Sequence, residues 1–204
     1  MLVAQQDELN NVGVVLIARQ TSSRLPNKVL LEINGKKLVE IMLDKVLVNT
    51  KDYIFAIPDN IDNRGLRDFL EDNGYCYFAG SEHHVLARFI GASEQLSNKF
   101  IQRLNCDNLL FESSYMKRCY KSLDNECDIY TNVDCSNHSG TSVEIIRKEK
   151  CVITRQPTDY ESEHVFPYFY ADKNLSTGSL ECPERKVFPI DTESDFKKAV
   201  MFYT

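Results

Sequence analysis

A basic segment rich in hydroxyl groups directly follows an apolar run in this sequence. Residues 17–28, IARQTSSRLPNK, place Arg19, Arg24 and Lys28 around a run of threonine and serine. Guanidinium groups bind phosphate oxygens through planar pairs of N–H donors, and an ammonium group supplies a compact positive charge. Hydroxyl and backbone N–H groups can complete such a site. The segment therefore predicts a loop that binds a polyphosphate, with a solvated basic loop as the alternative.

Two well-known phosphate-binding motifs do not account for this loop. The pattern G-x-x-x-x-G-K-[ST] is absent from the sequence, and so is the dinucleotide fingerprint G-x-G-x-x-G. Pro26 fixes the local backbone, and we expect it to keep Lys28 directed towards the ligand.

The overall composition is that of an ordinary globular protein. The chain has 204 residues, enough for one domain with a hydrophobic core. Its formal net charge of −6 argues against a broad surface for nucleic acid or anionic membranes, so the basic segment implies a local site. We see no apolar run of transmembrane length and no signal-peptide pattern in MLVAQQDELNN. We therefore expect a cytoplasmic protein without nucleic-acid or membrane partners.

The cysteines do not form a metal or redox motif. The sequence has 7 of them, spread from Cys76 to Cys182, and no two form a C-x-x-C pair. Metal frameworks and redox motifs need close spacing. We expect reduced thiols in a reducing cytosol.

Apolar patterns predict that strands and helices alternate as far as residue 131. Strands are expected at 11–18, 52–57, 75–79, 99–105 and 127–131, and helices at 38–48, 63–74, 82–96 and 113–123. Such alternation predicts a three-layer α/β/α fold with a mostly parallel sheet. Ligands bind beyond the carboxyl ends of such strands, which places the loops 19–28 and 105–107 at the same edge.

The pattern changes after residue 131. Residues 138–146, 150–157 and 164–170 are expected to form short strands and irregular segments. We interpret about 131–185 as a small insertion, for acceptor binding or dimerisation, within a single domain of residues 1–204. Thr192 and Asp195 predict the cap of a final helix.

Several blocks of the sequence resemble, in order, the motifs of one enzyme family. ARQTSSRLPNKVL resembles A-R-x-x-S-[ST]-R-[LF]-P-x-K, the signature of the sugar-activating cytidylyltransferases. The other blocks are GSEHHVLARF, RLNCDNLL, GTSVEII, SEHVFPYFY and PIDTESDF. The resemblance is to CMP-sialate and CMP-KDO synthetases and, more closely, to the spore-coat polysaccharide (SpsF-like) group. It runs from about residue 12 to about residue 200 and so covers nearly the whole chain.

This resemblance implies a nucleotide-diphospho-sugar transferase-like (Rossmann-like) fold and a Mg²⁺-dependent reaction. CTP and a sugar or acidic sugar would give a CMP-sugar and pyrophosphate, for surface polysaccharide or glycoconjugate synthesis. The implied catalytic residues are Arg24, Lys28 and Asp107. The implied nucleotide-binding residues are Ala18, Arg19, Ser22, Ser23, Arg24, Lys28, Ser81, Arg88 and Arg103. The implied metal ligands are Asp107 and Asp191, and the implied acceptor-binding residues are Glu144, Glu163 and His164.

The resemblance also implies a homodimer that pairs through the insertion. The stretch VFPYFYA lies there and is too apolar to remain in water as a patch. We therefore expect it to form a two-fold interface.

Departures from the family motifs keep other functions open. Cys106 replaces a glycine before the acid and could narrow the approach of the nucleotide, while Ser142 and Ser162 replace an aspartate and an arginine. A nucleotide-binding module without turnover is one alternative. A glycosyltransferase is another, although its D-x-D motif is absent from NCDNL. Asp107 and Asp191 also suit a turn cap and a helix start.

Overall fold

The structure is a computed structural model that describes residues 11–133, 141–184 and 188–203. Most of the segment that we examined for a signal peptide lies outside the described residues, as does the first part of the predicted segment 138–146. In the described ranges, no helix is both long enough and apolar enough to cross a membrane.

A seven-stranded sheet forms the centre of the fold. Its strands are β1 (Val12–Ile17), β4 (Tyr53–Pro58), β5 (Tyr77–Gly80), β6 (Phe100–Asn105), β7 (Ile129–Thr131), β8 (Glu144–Arg147) and β9 (Thr177–Ser179). Their order is β5-β4-β1-β6-β8-β7-β9, and among these strands only β8 runs antiparallel to its neighbours. The expected mostly parallel sheet is confirmed. A separate hairpin, β2 (Glu32–Ile33) and β3 (Lys36–Lys37), turns at Asn34-Gly35.

The central strand β1 has the composition of a strand that is buried on both faces. Its sequence VGVVLI is rich in β-branched residues and lies between β4 and β6, with Leu16 opposite Phe55 and Leu104. Side chains alternate between the faces of a strand. Accordingly Leu16 joins one hydrophobic cluster and Val15 joins the other. The burial fixes where β1 ends, and therefore where the basic loop begins.

Helices cover both faces of the sheet. α1 (Leu38–Leu47), α2 (Arg64–Asp72), α4 (Ser113–Lys121) and α7 (Glu193–Tyr203) contribute to the larger hydrophobic cluster. α3 (Val85–Glu94) and α6 (Phe166–Tyr170) contribute to the second cluster, and α5 (Asp159–His164) packs against α3. The predicted three-layer α/β/α architecture is therefore confirmed.

Residues 164–170 lie in two short helices that meet at Val165, so the prediction of short strands and irregular structure there is wrong for all but Val165. A capping box starts α5: the Glu161 N–H donates to the Thr158 hydroxyl (3.3 Å), and the Thr158 N–H donates to Glu161 Oε2 (2.8 Å). Pro167 lies in the first turn of α6, where its missing N–H is not needed. Val165 has φ of 68°, and the backbone changes direction at this residue between the two helices. These local signals outweigh the strand preference of the aromatic residues.

The aromatic stretch is also not an exposed patch. Val165, Phe166 and Phe169 are at most 1% exposed, and Tyr168 is 2% exposed. The rings of Phe166 and Phe89 pack 6.1 Å apart, so the stretch fills space beneath α3 of its own chain. The argument for a homodimer from an exposed aromatic surface is therefore wrong.

The cysteines differ from expectation at one described position. Cys106, Cys119 and Cys151 are buried thiols, and burial raises the pKa of Cys151 to about 12. Cys76 is an exposed thiol. Cys182 takes part in a disulfide, so the expectation that every cysteine is reduced is wrong there.

Candidate active site

A cleft of about 280 Å³ opens beyond the carboxyl ends of β1 and β6. Most of the predicted site residues line it: Ala18, Arg19, Ser22, Ser23, Arg24, Lys28, Arg88, Arg103, Asp107, Glu163, His164 and Asp191. The predicted shared edge of the loops 19–28 and 105–107 is therefore confirmed. Ser81 and Glu144 do not line the cleft.

The basic loop turns Lys28 inwards and leaves its other cations exposed. Arg19 and Arg24 are exposed, whereas Lys28 is only 7% exposed. Asn27 has φ of 57° and precedes a short 3₁₀ helix, Lys28–Leu30. Asparagine tolerates this left-handed conformation better than most residues. The turn at Asn27 thus sets the direction in which Lys28 leaves the loop.

Lys28 joins the two predicted metal ligands at the closed end of the cleft. Its Nζ donates to Asp107 Oδ2 at 2.7 Å, to Asp191 Oδ1 at 3.1 Å and to the carbonyl oxygen of Ile190 at 3.1 Å. Arg24 Nη2 lies 3.0 Å from the same Asp191 oxygen. A buried ammonium group is strongly unfavourable unless it is paired, so these contacts hold the loop against the carboxylates.

One carboxylate oxygen of Asp107 is without a partner among the residues that the structure describes. Its Oδ1 is buried and has no hydrogen-bond partner in the described part of the chain. The carboxylate accepts from Lys28, and no backbone N–H of the described residues donates to it. This does not support the alternative in which Asp107 only caps a turn. Buried polar atoms without a partner are rare and commonly mark a site for an ion or a ligand.

Asp191 is held in place by the start of α7 but does not cap it. The cap is Thr192, whose hydroxyl accepts the Asp195 N–H at 3.2 Å, while Asp195 Oδ2 accepts the Thr192 N–H at 3.0 Å. The predicted capping box is therefore confirmed. The N–H of Ile190 donates to the carbonyl oxygen of Asp107 at 2.8 Å, which ties the two acidic segments together.

Arg88 is a buried cation in the wall of the cleft. It is 2% exposed, and its Nη1 donates to the carbonyl oxygens of Ser81 and Glu82. Its buried Nε has no partner among the described residues. Burial, followed by repulsion from Arg19, lowers the pKa of Arg88 to about 10, so it stays charged near pH 7. Ser81 does not line the cleft itself, but its carbonyl oxygen holds the guanidinium group of Arg88, which does.

Glu144 supports Arg103 from behind. Arg103 Nη2 lies 2.6 Å from Glu144 Oε2, and its Nη1 donates to the carbonyl oxygen of His164 at 2.9 Å. Glu144 is 8% exposed and also accepts from the Tyr170 hydroxyl at 3.2 Å. Burial, with the nearby Glu144 charge, raises the pKa of Tyr170. Of the predicted acceptor residues, Glu163 and His164 are exposed and line the cleft.

Some cleft residues were missed in the sequence. Ile17, Val29, Val85 and Asn105 also line the cleft. Asn105 ends β6 and belongs to the loop 105–107, which the sequence placed at this edge without assigning Asn105 a role of its own. The apolar residues carried no chemical signal. Cys106 is 1% exposed and does not line the cleft, so it does not narrow the approach as expected.

The family follows from a comparison of the whole sequence. The sequence model that describes cytidylyltransferases matches residues 14–201 of this chain. The chain belongs to the cytidylyltransferase family. This cytidylyltransferase is therefore a CTP-utilising transferase, and the expected resemblance is confirmed.

Two curated relatives span most of this cytidylyltransferase. The uncharacterized protein MJ1063 of Methanocaldococcus jannaschii is 30% identical over 195 residues, which cover 91% of this chain and 80% of the relative. The spore coat polysaccharide biosynthesis protein SpsF of Bacillus subtilis is 27% identical over 210 residues, which cover 96% of this chain and 87% of SpsF.

Solved structures share the fold of this cytidylyltransferase. A cytidylyltransferase from Leptospira borgpetersenii has a TM-score of 0.81 at 22% identity, covering 96% of this chain and 88% of the other. CMP:2-keto-3-deoxy-manno-octonic acid synthetase complexed with CTP has a TM-score of 0.68 at 14% identity, with coverages of 95% and 98%. Rv0371c from Mycobacterium tuberculosis in complex with manganese has a TM-score of 0.64 at 14% identity, with coverages of 93% and 97%. At these identities the likeness shows the nucleotidyltransferase-like fold.

Proposed function

We propose that this cytidylyltransferase transfers CMP from CTP to a sugar-type acceptor and releases pyrophosphate, with Mg²⁺ as cofactor. The observation that carries the proposal is the junction of Lys28 with Asp107 and Asp191 at the closed end of the cleft. The reaction joins an acceptor oxygen to the α-phosphorus of CTP and breaks the bond from that phosphorus to the bridging oxygen of the pyrophosphate. Positioning and stabilisation of negative charge provide most of the catalysis in such transfers.

The residues of the cleft fit a magnesium ion. Mg²⁺ is commonly held by one or two carboxylates together with phosphate oxygens and water. Asp107 offers the buried Oδ1 that lacks a protein partner, and Asp191 lies on the other side of Lys28. The described residues contain no cluster of three or more His, Cys, Asp or Glu side chains suited to a metal. When bound, the ion would stabilise negative charge on the reacting phosphates. The manganese complex of Rv0371c supports a divalent ion.

The basic loop would hold the triphosphate of CTP. Arg19 and Arg24 are exposed at the cleft and can close onto phosphate oxygens, while Ser22 and Ser23 line the same wall. The ammonium group of Lys28 contacts both carboxylates and could also donate hydrogen bonds to phosphate oxygens of a bound nucleotide. The KDO synthetase complexed with CTP supports CTP as the nucleotide.

Glu163 and His164 support an acceptor site on the far side of the cleft. Both are exposed, and α5 carries them to the cleft beside Arg103. The similarity to SpsF, a spore coat polysaccharide biosynthesis protein, supports a sugar acceptor and a role in surface polysaccharide synthesis. Because Ser142 and Ser162 depart from the motifs, the acceptor need not be that of any relative.

The test is pyrophosphate release with CTP, Mg²⁺ and a panel of acidic and neutral sugars. Release that depends on one acceptor supports the proposal. Release of CMP from a finished CMP-sugar would instead indicate a glycosyltransferase. No release with any acceptor, despite CTP binding, would indicate a nucleotide-binding module.

CTP is expected to stabilise the protein more than ATP, GTP or UTP does. A ligand at a hundred times its Kd stabilises the folded state by about 2.7 kcal/mol, which a melting curve resolves easily. The measurement is the melting temperature with each nucleotide and Mg²⁺. Equal shifts for all four would contradict the choice of cytidine while leaving the phosphate-binding loop in place.

The homodimer stays a prediction with a different physical basis. Val152, Ile153 and Tyr160, which lie within the insertion, are 48%, 46% and 63% exposed. Apolar side chains of this size at a surface are consistent with a protein interface. Light scattering at tens of micromolar is expected to give the mass of a dimer, and a monomer mass would contradict it.

A further inference from the structure

We propose that Gln20 is a positioning residue that sets the shape of the phosphate-binding loop before CTP arrives. It does not line the cleft. In the signature that residues 18–28 resemble, positions 20 and 21 are unspecified, so the resemblance assigns them no role. The inference rests on the proposal that this loop binds the CTP phosphates.

Gln20 is a hydrogen-bonding centre inside the loop. Its backbone N–H donates to Asn63 Oδ1 at 2.7 Å, and its carbonyl oxygen accepts the N–H groups of Ser22 (3.0 Å) and Asn27 (3.1 Å). Its side-chain Oε1 accepts the Leu66 N–H at 2.9 Å, and its Nε2 donates to Asn27 Oδ1 at 2.8 Å. One residue thus connects both ends of the loop with the first turn of α2.

The contact with Asn27 links Gln20 to Lys28. Asn27 adopts the left-handed conformation that directs Lys28 towards Asp107 and Asp191. The side-chain amide of Gln20 holds the Asn27 side chain and its carbonyl oxygen accepts the Asn27 backbone N–H, so Gln20 contacts both parts of the residue that makes this turn. Gly65 leaves room for the amide, since a Cβ there would lie 3.1 Å from Gln20 Oε1.

A second set of contacts anchors the loop to its neighbours. Asn63 is fully buried, and its Nδ2 donates to Asn60 Oδ1 at 2.6 Å. The Asn60 amide donates to one oxygen of Glu82, and the other accepts the Thr21 hydroxyl at 2.7 Å. The contacts run from Gln20 through Asn63, Asn60 and Glu82 to Thr21 and so close a ring. The ring joins the segments that follow β1, β4 and β5.

This ring explains how an exposed polar loop can be ready to bind. Ser23 and Arg24 are exposed and belong to neither hydrophobic cluster, so hydrophobic packing does not hold them in place. A site whose donors are already fixed loses less conformational entropy on binding. Gln20 therefore supports CTP affinity through the loop, without touching CTP.

The test compares Gln20→Met with a matched control, Gln95→Met. Methionine has a similar length but cannot make the contacts to Leu66 and Asn27. Gln95 is exposed at the end of α3, far along the chain from the loop. Calorimetry with CTP and Mg²⁺ is expected to show roughly 5- to 30-fold weaker binding for Gln20→Met and no change for Gln95→Met. Amide hydrogen exchange in residues 22–28 is expected to be faster only in Gln20→Met.

A second variant tests the ring at another position. Thr21→Val removes the hydroxyl that donates to Glu82 with little change in shape. It is expected to weaken CTP binding in the same direction. All affinities are measured well below the melting temperature of each variant, so that loss of fold does not contribute.

The outcomes separate this inference from the proposed function. If the wild type does not bind CTP, the proposed function fails before any variant is compared. If the wild type binds CTP and Gln20→Met binds it equally well, the inference is overturned. The same holds if Gln20→Met only lowers the melting temperature, because Gln20 would then merely cap α2.

Discussion

Asp107→Asn is expected to keep most of the CTP affinity and to lose turnover by about a hundred- to a few-thousand-fold. Asparagine has nearly the same shape, but its amide lacks the charge with which a carboxylate binds Mg²⁺. The loss corresponds to roughly 3–5 kcal/mol of transition-state stabilisation. CTP affinity is expected to change less because, under the proposed function, Arg19, Arg24 and the loop hydroxyls would contact the phosphates independently of Asp107.

The measurement combines steady-state rates with melting curves on the same sample. Asp44→Asn is a matched control, since Asp44 lies on α1, is exposed and pairs with Lys36 of β3. It is expected to show wild-type turnover. Near-wild-type turnover in Asp107→Asn would mean that Asp107 does not hold the catalytic ion. Loss of CTP binding and turnover together would place Asp107 in nucleotide binding instead.

Lys28→Met is expected to lose turnover by roughly a hundred- to a thousand-fold and to bind a divalent cation more tightly without CTP. The rate falls because a positive charge next to the reacting phosphates is lost. The affinity for the cation rises because Asp107 and Asp191 lose their shared partner, while the ion pair of Asp191 with Arg24 remains. Removing one partner of a buried ion pair leaves an uncompensated charge. We therefore also expect the variant to be less stable until a cation restores the balance.

The measurement is the rise in melting temperature on adding Mn²⁺ without nucleotide. It is expected to be larger for Lys28→Met than for the wild type. Lys36→Met removes an exposed ion pair with Asp44 and serves as the control, with a wild-type response. A Mn²⁺ response of Lys28→Met no larger than that of the control would show that Lys28 does not compete with the cation. Wild-type turnover would remove Lys28 from catalysis.

Local patterns in the sequence were enough to predict β1, β4, β5, β6 and β7 and the position of the basic loop, but not β9. The short β-branched run VGVVLI is typical of a strand buried on both faces, and the charged segment that follows then lies at the carboxyl end of that strand. The capping box at Thr192 could likewise be predicted from the sequence, because Asp195 follows three residues later. These features depend on residues close together in the chain, where periodicity and turn chemistry act directly.

Which site residues contact one another depends on the tertiary structure and could not be predicted from local sequence. Lys28 reaches Asp107 across 79 positions and Asp191 across 163, and no local pattern states that these three side chains touch. Tertiary packing also placed Glu144 behind Arg103 and buried the aromatic stretch beneath α3. An apolar run has the same composition whether it covers its own sheet or a partner. Contacts between distant segments depend on how the sheet brings them together, and that is a property of the folded chain.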